Sequence, residues 1–593
     1  MADQADFPDI YIDASAGAGG VGSQADPYNN LADVRWVTGG DNSIFDYYAG
    51  SPAASVTINL KRGEVWRSEV LNTGSSGTAT HPIIIQGYGA GDNPLVDGSI
   101  DITTAAYKWT ASGSGTNEFY LEAAAGGDSG ISEPKQVFID DVRCGYGAAG
   151  TLTDHQFDWA DNDALGYSTV YVRDEDGDPD TSGVVIDASR GSVNYCFYID
   201  ESYITIDGID CKYSNGHGFR LTGGGDHIII KNCAATYNFW AGVQLYTGAH
   251  DCEINNVEVS HSLSANISAD GTSGNPINRL LITGCDIHDT VFVSGLVVDA
   301  AGIKAFNLQD STITKSKWYN CNNGGIRLDG GSVPSRWGCD NNEISENELY
   351  GNASSVGDDS QIELEFSSGN TIKYNYLHTP DSGKSGITLS HTGSEDNLIL
   401  YNISEGNTSG NSYRTRAAAG DTTPNVFIGN TAYNTNIGFY IYSGPLTVIK
   451  NNIVLDSTHT ALWVETGLPA TIKSDYNCFH IAGGSIFKDD AVQSYDLAGW
   501  RTFCGNDVHS IDDDPLLTDP GADDYTLTSD SPCIDAGFDL GDSYKWALDV
   551  SSTWPDGVVT VDQDLKGDGW EIGAYASPAG AGTSNTTLIL LGR

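Results

Sequence analysis

A short pattern recurs along this chain and limits what it can fold into. Two apolar residues are followed by Asn or Gly and then by a further apolar residue. It reads HIIIKNC from His227, CEINNVEV from Cys252, RLLITGCDI from Arg279, NTIKYNYL from Asn370, NLILYNIS from Asn397, NVFIGNTA from Asn425 and TVIKNNIV from Thr447. Successive copies lie roughly 22 to 28 residues apart where no long loop intrudes, a spacing typical of solenoids. A leucine-rich repeat is excluded, because no LxxLxLxxN text or helical stretch separates the copies. A chain of 593 residues would otherwise suggest several domains. A solenoid grows by adding turns and needs no new core. Asn at the recurring turns is expected to stack and to satisfy backbone groups.

A second pattern alternates with the first. Its copies include Gly218-Phe219-Arg220-Leu221, Gly242-Val243-Gln244-Leu245, Ala265-Asn266-Ile267, Gly302-Ile303-Lys304-Ala305, Gly325-Ile326-Arg327-Leu328, Ile362-Glu363-Leu364-Glu365, Gly386-Ile387-Thr388-Leu389 and Gly438-Phe439-Tyr440-Ile441. Side chains on a strand alternate between faces, so the apolar members point inward and their neighbours outward. The expected outward ladder is Arg220, Gln244, Asn266, Lys304, Arg327, Glu363, Thr388, Arg416, Tyr440 and Trp463. A second column two residues on includes Tyr246, Asp329, Glu365, Tyr442 and Glu465. Ile303, Ile326, Leu328, Ile387 and Leu389 are expected inside.

The formal net charge of −50 argues against a nucleic-acid partner, whose phosphates would be repelled. It suits solubility in a salty or extracellular setting, and acidic loops can hold Ca²⁺, although no cofactor is required by any motif. The 11 Cys include Cys233 and Cys285 in the same slot of their turns, which predicts thiols stacked in the core, not disulfides. No pair has zinc-site spacing. No apolar run of about 18 residues is present, so no membrane span is expected. The opening, Met1 to Asp9, is acidic and lacks the apolar core of a secretory signal. That leaves a removed signal or exit inside a virion. Asp174 to Asp180 looks like a calcium loop, but Val185 stands where an EF-hand needs Glu, so a polar turn is expected and no metal ligands are assigned. Sequons occur at Asn266, Asn352, Asn402, Asn407 and Asn585.

The flanking text carries a resemblance. IYIDASAGAGG from Ile10, HPIIIQGYG from His81, KQVFIDDVR from Lys135, VYVRDEDGDPD from Val170, SPCIDAG from Ser531 and DLKGDGWEIGAY from Asp564 resemble the extracellular right-handed parallel β-helix repeat proteins of the pectate-lyase-like superfamily. That resemblance implies an all-β right-handed parallel β-helix with an N-terminal cap and an irregular C-terminal region. It also implies a place among polysaccharide lyases, glycoside hydrolases, uronan epimerases and phage tailspikes. The YGxDPHD string of alginate epimerases is missing. Of the polygalacturonase set only Gly216-His217-Gly218 is matched. The organisation read from the text is a cap and first turns over 1–135, regular turns over 136–481, and an irregular region with a Gly/Ser/Thr-rich tail over 482–593.

An outward face carrying aromatic and charged side chains suits an extended polysaccharide, because sugar rings stack on apolar faces and carboxylates take hydrogen bonds. Arg220, Gln244, Tyr246, Asn266, Arg416, Tyr440 and Trp463 are the expected binding residues. Lys304, Arg327, Asp329, Glu363 and Glu365 are the expected catalytic group, walled by the loops 270–278 and 330–341. In a lyase Lys304 would be the base, its pKa lowered by Arg327. In a hydrolase two of the three carboxylates would flank the glycosidic bond. The plainer account is that these charges pair across turns and steady the sheet. The expected function is binding and degradation of an acidic glycan outside the cell, or on a virion as a tailspike depolymerase, there as a homotrimer. The alternative is a non-catalytic fibre or adhesin on host-surface glycans.

Overall fold

The computed structural model describes residues 9–37, 43–50, 52–104, 106–113, 116–122, 133–160, 169–291, 300–331, 337–353, 360–380, 383–416, 423–443, 446–465, 471–481, 486–489 and 493–577. The chain divides into two compact units, Met1–Lys304 and Ala305–Arg593. Each is a right-handed parallel β-solenoid with three strands per turn. The recurring pattern read above as one strand is two. A single residue in left-handed backbone, such as Asn232 (φ 56°) or Tyr401 (φ 53°), bends the chain between them. Such a residue costs little when its neighbours fix it, and it makes a corner no extended segment can make.

In the first unit the second strands of successive turns run from Ile10–Ile12 through Thr57–Lys61, Ile83–Tyr88, Ile204–Asp207, Ile229–Lys231 and Glu253–Asn255 to Leu281–Thr283, all paired parallel. The first strands Tyr195–Ile199, His217–Leu221, Val243–Tyr246 and Ile267–Asp270 form a second parallel sheet. Residues 99–189 depart from the regular turns expected from 136 onward. Val137–Ile139 pairs antiparallel with Ile186–Ser189, and Thr169–Arg173 pairs antiparallel with Gln156–Ala160 and Glu118–Glu122. These strands enclose their own core of Trp109, Phe119, Phe157, Val170 and Ile186. The strand text here has the same apolar alternation as a solenoid turn, which is why sequence does not separate them. Asp178 caps the short helix Pro179–Ser182, accepting from Asp180 N at 3.0 Å, so the acidic run at 174–180 shapes a turn.

In the second unit the first strands Ile326–Asp329, Ser360–Glu365, Ser385–Ser390, Asn411–Arg416, Ile437–Ser443, Thr460–Val464 and Phe487–Asp489 pair parallel in order. The inner side is apolar, and Ile326, Leu328, Ile387 and Leu389 here, like Ile303 in the first unit, are fully buried as expected. Asn347, Asn375, Asn402, Asn430, Asn452 and Asn477 follow the corner residues and stack as a ladder. The first five backbone N–H groups each donate to the next Asn Oδ1, from Asn347 N to Asn375 Oδ1 (3.0 Å) onward, and Asn477 N donates to Ser510 Oγ. Cys233 and Cys285 hold the equivalent slot in the first unit. Their thiols donate to Lys231 O at 3.0 Å and Thr283 O at 3.3 Å, the same backward bond that Asn347 makes to Ser345 O. The cysteines are reduced.

The helix Leu497–Cys504 follows the strand Gln493–Tyr495, with Trp500 stacked on Phe487 (5.0 Å, 4°). Residues 511–577 then lie along the side of the second unit, packing Leu517, Tyr525, Leu548 and Ile572 on Tyr376, Ile403 and Ile453. No described helix is long and apolar enough to cross a membrane. The Gly/Ser/Thr-rich tail lies outside the described residues.

Candidate functional site

The glycine that opens many first strands sets the geometry of this face. A Cβ on Gly218 would lie 2.6 Å from Cys211 Sγ, and one on Gly438 would lie 2.6 Å from Ala461 O. Only Gly lets the strand enter that close to its neighbours. The pairing skips at this point, from Tyr195 beside His217 to Phe197 beside Phe219. His217 then lines the outer groove together with Arg220.

Two adjoining pockets lie on this face of the first unit. One, of about 410 Å³, is lined by Tyr195, Tyr198, His217, Arg220 and Trp240. The other, of about 250 Å³, shares His217 and Trp240 and adds Gln244, Ser268 and Asp270. The Arg220 guanidinium lies 6.0 Å from the Tyr195 ring centre and 5.7 Å from that of Tyr246. No carboxylate among the described residues pairs with it. Gln244 Nε2 and Ser268 Oγ both donate to Asp270 Oδ2 at 2.8 Å. Three buried polar atoms around the groove have no partner: His217 Nδ1, Arg220 Nε and Gln244 Oε1. Burial, with Arg220 close by, pulls His217 down to about 3, so its imidazole is neutral. Burial raises Asp270 above the ordinary carboxylate value, against the pull of its Gln244 and Ser268 bonds.

Asn266 is not part of this groove. Gln244 has Ser268 beside it on the next turn, and Tyr246 has Asp270. Asn266 lies two residues earlier, fully buried, donating to His288 O at 2.7 Å and accepting from Ser262 N at 3.2 Å. It is a corner residue of the turn. The expected alignment counted from Ala265, whereas the strand begins at Ile267. Lys304, the last residue of the first unit, is 5% exposed.

In the second unit Arg327 stands beside Glu363, and Asp329 beside Glu365. Arg327 Nη2 lies 2.5 Å from Glu365 Oε1, and its Nε lies 3.9 Å from Glu363 Oε2. Glu363 Oε1 accepts from Ser390 Oγ at 3.2 Å, and His391 Nε2 approaches Glu365 Oε2 at 3.6 Å. Asp329 is tied to its own turn through Gly331 N at 2.8 Å. Glu363 and Glu365 are each 6% exposed and Thr388 is fully buried, its Oγ1 accepting from Ser360 Oγ at 2.6 Å. At Glu363, Glu365 and Thr388 the expected solvent-washed ladder is therefore a covered floor. Strand period fixes which face a side chain takes, not whether that face meets water. Arg416 falls in the second column beside Ser390, and Arg414 takes the place beside Thr388, a correction of two residues. Tyr440 donates its hydroxyl to Glu465 Oε1 at 2.8 Å. Part of the loop 330–341 lies outside the described residues; 270–278 folds on itself through Thr272 N to Asn275 O, 3.1 Å.

His217, Trp240, Ser268 and Asp270 were not among the expected site residues. A strand start fixed at Ile267 would have placed Ser268 and Asp270 in the two columns. Trp240 stands ahead of a strand and has no period to mark it.

The right handed beta helix region model matches residues 168–332 and 240–404. No curated protein sequence matches the chain. Among solved structures it is similar to XylC in complex with xylose, at 13% identity and TM-score 0.50, over 83% of this chain and 87% of that one. It is also similar to a glycoside hydrolase, at 9% identity and TM-score 0.49, over 69% and 94%. A third is pectate lyase Pel9A, at 12% identity and TM-score 0.40, over 97% and 98%. At such identities likeness speaks to fold alone. By its strand pairing and by the matched region, the chain is a right-handed parallel β-helix protein.

Proposed function

We propose that the protein binds an acidic polysaccharide outside the cell, secreted or on a virion, and cleaves it by β-elimination in the groove of the first unit. The observation that carries this reading is Arg220, a cation seated among aromatic rings, near enough to Asp270 to act on its charge but in ion-pair contact with no carboxylate among the described residues, in a chain of net charge −50. A part-buried cation without a counter-ion is costly unless a ligand supplies one. A uronate carboxylate at Arg220 neutralises both charges and makes the proton at C5 more acidic. Neutralising Arg220 also relieves the lesser of the two causes that lower His217, burial being the larger. The neutral imidazole then takes the C5 proton, a C4–C5 double bond forms, and the C4–O bond breaks. Asp270, held toward its protonated form by burial, gives the leaving oxygen a proton. Trp240 and Tyr246, 42% and 40% exposed, offer faces on which sugar rings stack. The xylose complex of the similar XylC accords with a saccharide ligand.

A second reading rests on the carboxylates Glu363 and Glu365, adjacent on one face of one strand, as a hydrolase pair. Arg327 Nη2 lies 2.5 Å from Glu365 Oε1, so that oxygen is already taken up in an ion pair. Incubation with polygalacturonate and with alginate, following unsaturated-uronate absorbance and reducing ends together, tests both. We expect unsaturated product, lost by roughly 100-fold or more in His217→Ala and Arg220→Ala. Reducing ends without unsaturation, lost in Glu363→Gln, would transfer the chemistry to the second unit. Binding without either signal would leave a fibre or adhesin, for which a trimeric native mass would speak.

A further inference from the structure

The stack around Trp463 in the second unit serves neither the core nor the groove described above. Trp463 has Tyr440 beside it on one turn and Lys488 on the next. His459 lies parallel to its ring, centroids 5.2 Å apart at 7°. Lys488 Nζ sits 4.8 Å from the ring centre. The ring is thus engaged by an imidazole and a cation, so the sugar-stacking role expected from sequence does not suit it.

What the stack offers instead is a set of donors. Lys488 Nζ is 3.1 Å from His459 Nε2. An ammonium has hydrogens and no lone pair, so Nε2 accepts and the ring hydrogen sits on Nδ1. That Nδ1–H and the Trp463 Nε1–H are both buried and both without a partner. Burial, then the charge of Lys488, lowers His459, in keeping with a neutral ring. No carboxylate among the described residues lies within ion-pair distance of Lys488. The nearby Tyr440 hydroxyl is already given to Glu465 and adds nothing to the set. Two orphaned N–H groups beside an unbalanced ammonium are costly in isolation.

We propose that Lys488, His459 and Trp463 form a second anion-binding site, which takes the carboxylate or sulfate group of an acidic glycan and anchors the polymer apart from the cleavage groove. Lys488 supplies the charge and Trp463 Nε1–H a directed bond, while His459, whose Nδ1–H points away from Lys488, holds the ammonium through Nε2. The acidic glycan as occupant rests on the function proposed above; the anion chemistry stands on these three side chains.

The test is titration of the full chain with polygalacturonate, dextran sulfate and neutral dextran, for the wild type, Lys488→Gln and Trp463→Phe. The second variant keeps an aromatic ring in the stack and removes only the N–H. We expect no response to neutral dextran, binding of at least one acidic polymer, roughly tenfold weaker binding in Lys488→Gln and roughly fivefold in Trp463→Phe, with unchanged thermal unfolding. Weakening confined to polygalacturonate identifies a uronate, and weakening confined to dextran sulfate a sulfated sugar; either supports the site. Wild-type affinity in both variants for both acidic polymers overturns it. Cleavage of a short uronate oligosaccharide is expected to be unchanged in both variants. Loss of that cleavage in His217→Ala reads the groove separately, so either proposal can fail without the other.

Discussion

Asn402-Ile403-Ser404 is text that a glycosylation enzyme would accept, yet the Asn402 side chain has no surface to offer. It is fully buried, with Nδ2 donating to Ile372 O at 2.9 Å and to Asn430 Oδ1 at 3.1 Å. Asn266 and Asn352 are likewise fully buried, and Asn407 is 1% exposed. Mass spectrometry of protein made in eukaryotic cells is expected to find all four unmodified; a glycan on any of them would mean the turn is not closed. The same residues show how far single positions were legible. Asn266 reads as outward if its strand starts at Ala265 and inward if it starts at Ile267, and apolar alternation permits both. A slip of two residues keeps the hydrophobic pattern and changes which polar side chain meets a ligand. That is why Ser268 was counted in the second outward column instead of the first, and Asp270 in neither. Lys488 was missed because it sits on the last parallel strand, where no following turn repeats the pattern.

An element of this fold is a corner as much as a strand. Tyr374, Tyr401 and Asn451 hold left-handed backbone, and the next residue in each case is a ladder Asn. Repeated Asn was readable as a turn signal, but the bend at Tyr374 and Tyr401 was not, because Tyr is not a residue that favours left-handed φ. They take it here because both neighbouring turns impose the same bend. Asn375 Oδ1 accepts from Asn347 N, and its Nδ2 donates to Ile344 O and Asn402 Oδ1. Asn375→Ala leaves buried groups on two turns unsatisfied, and denaturant titration is expected to show a loss of about 1–3 kcal/mol. A loss well under that range would mean that water takes over the ladder bonds. Gly438→Ala is expected to cost about 1–3 kcal/mol by overpacking, since the new Cβ would lie 2.6 Å from Ala461 O and from Val454 Cγ1.

At the scale of whole units, the segment 511–577 closes the side of the second unit over Glu571, which is 1% exposed and has neither carboxylate oxygen bonded to a side chain. Burial raises it from 4.5 to about 7. The folded chain therefore keeps a proton that the unfolded chain has already released between those values. Stability from this group is full below pH 4.5, falls as pH rises to about 7, and is level above. The total is roughly 3 kcal/mol. Glu571→Gln is expected to flatten the fall between pH 5 and 7 in thermal unfolding; an unchanged slope would place the titrating group elsewhere. In the first unit, the antiparallel insert at 99–189 leaves the solenoid between its neighbours undisturbed, since Leu95–Asp97 pairs directly with Asp210–Lys212. Its entry and exit meet, Arg190 N donating to Gly98 O at 3.0 Å. A cartridge whose two ends already touch can be exchanged for another without resetting the stack. The turn after residue 98 is thus a socket, and a foreign domain with adjacent termini should seat there at the cost of the contacts the insert makes with the stack, among them Phe138–Tyr213 (3.9 Å between ring centres), Arg67–Asp187 (2.6 Å) and Arg143 Nη2 to His261 O (2.7 Å).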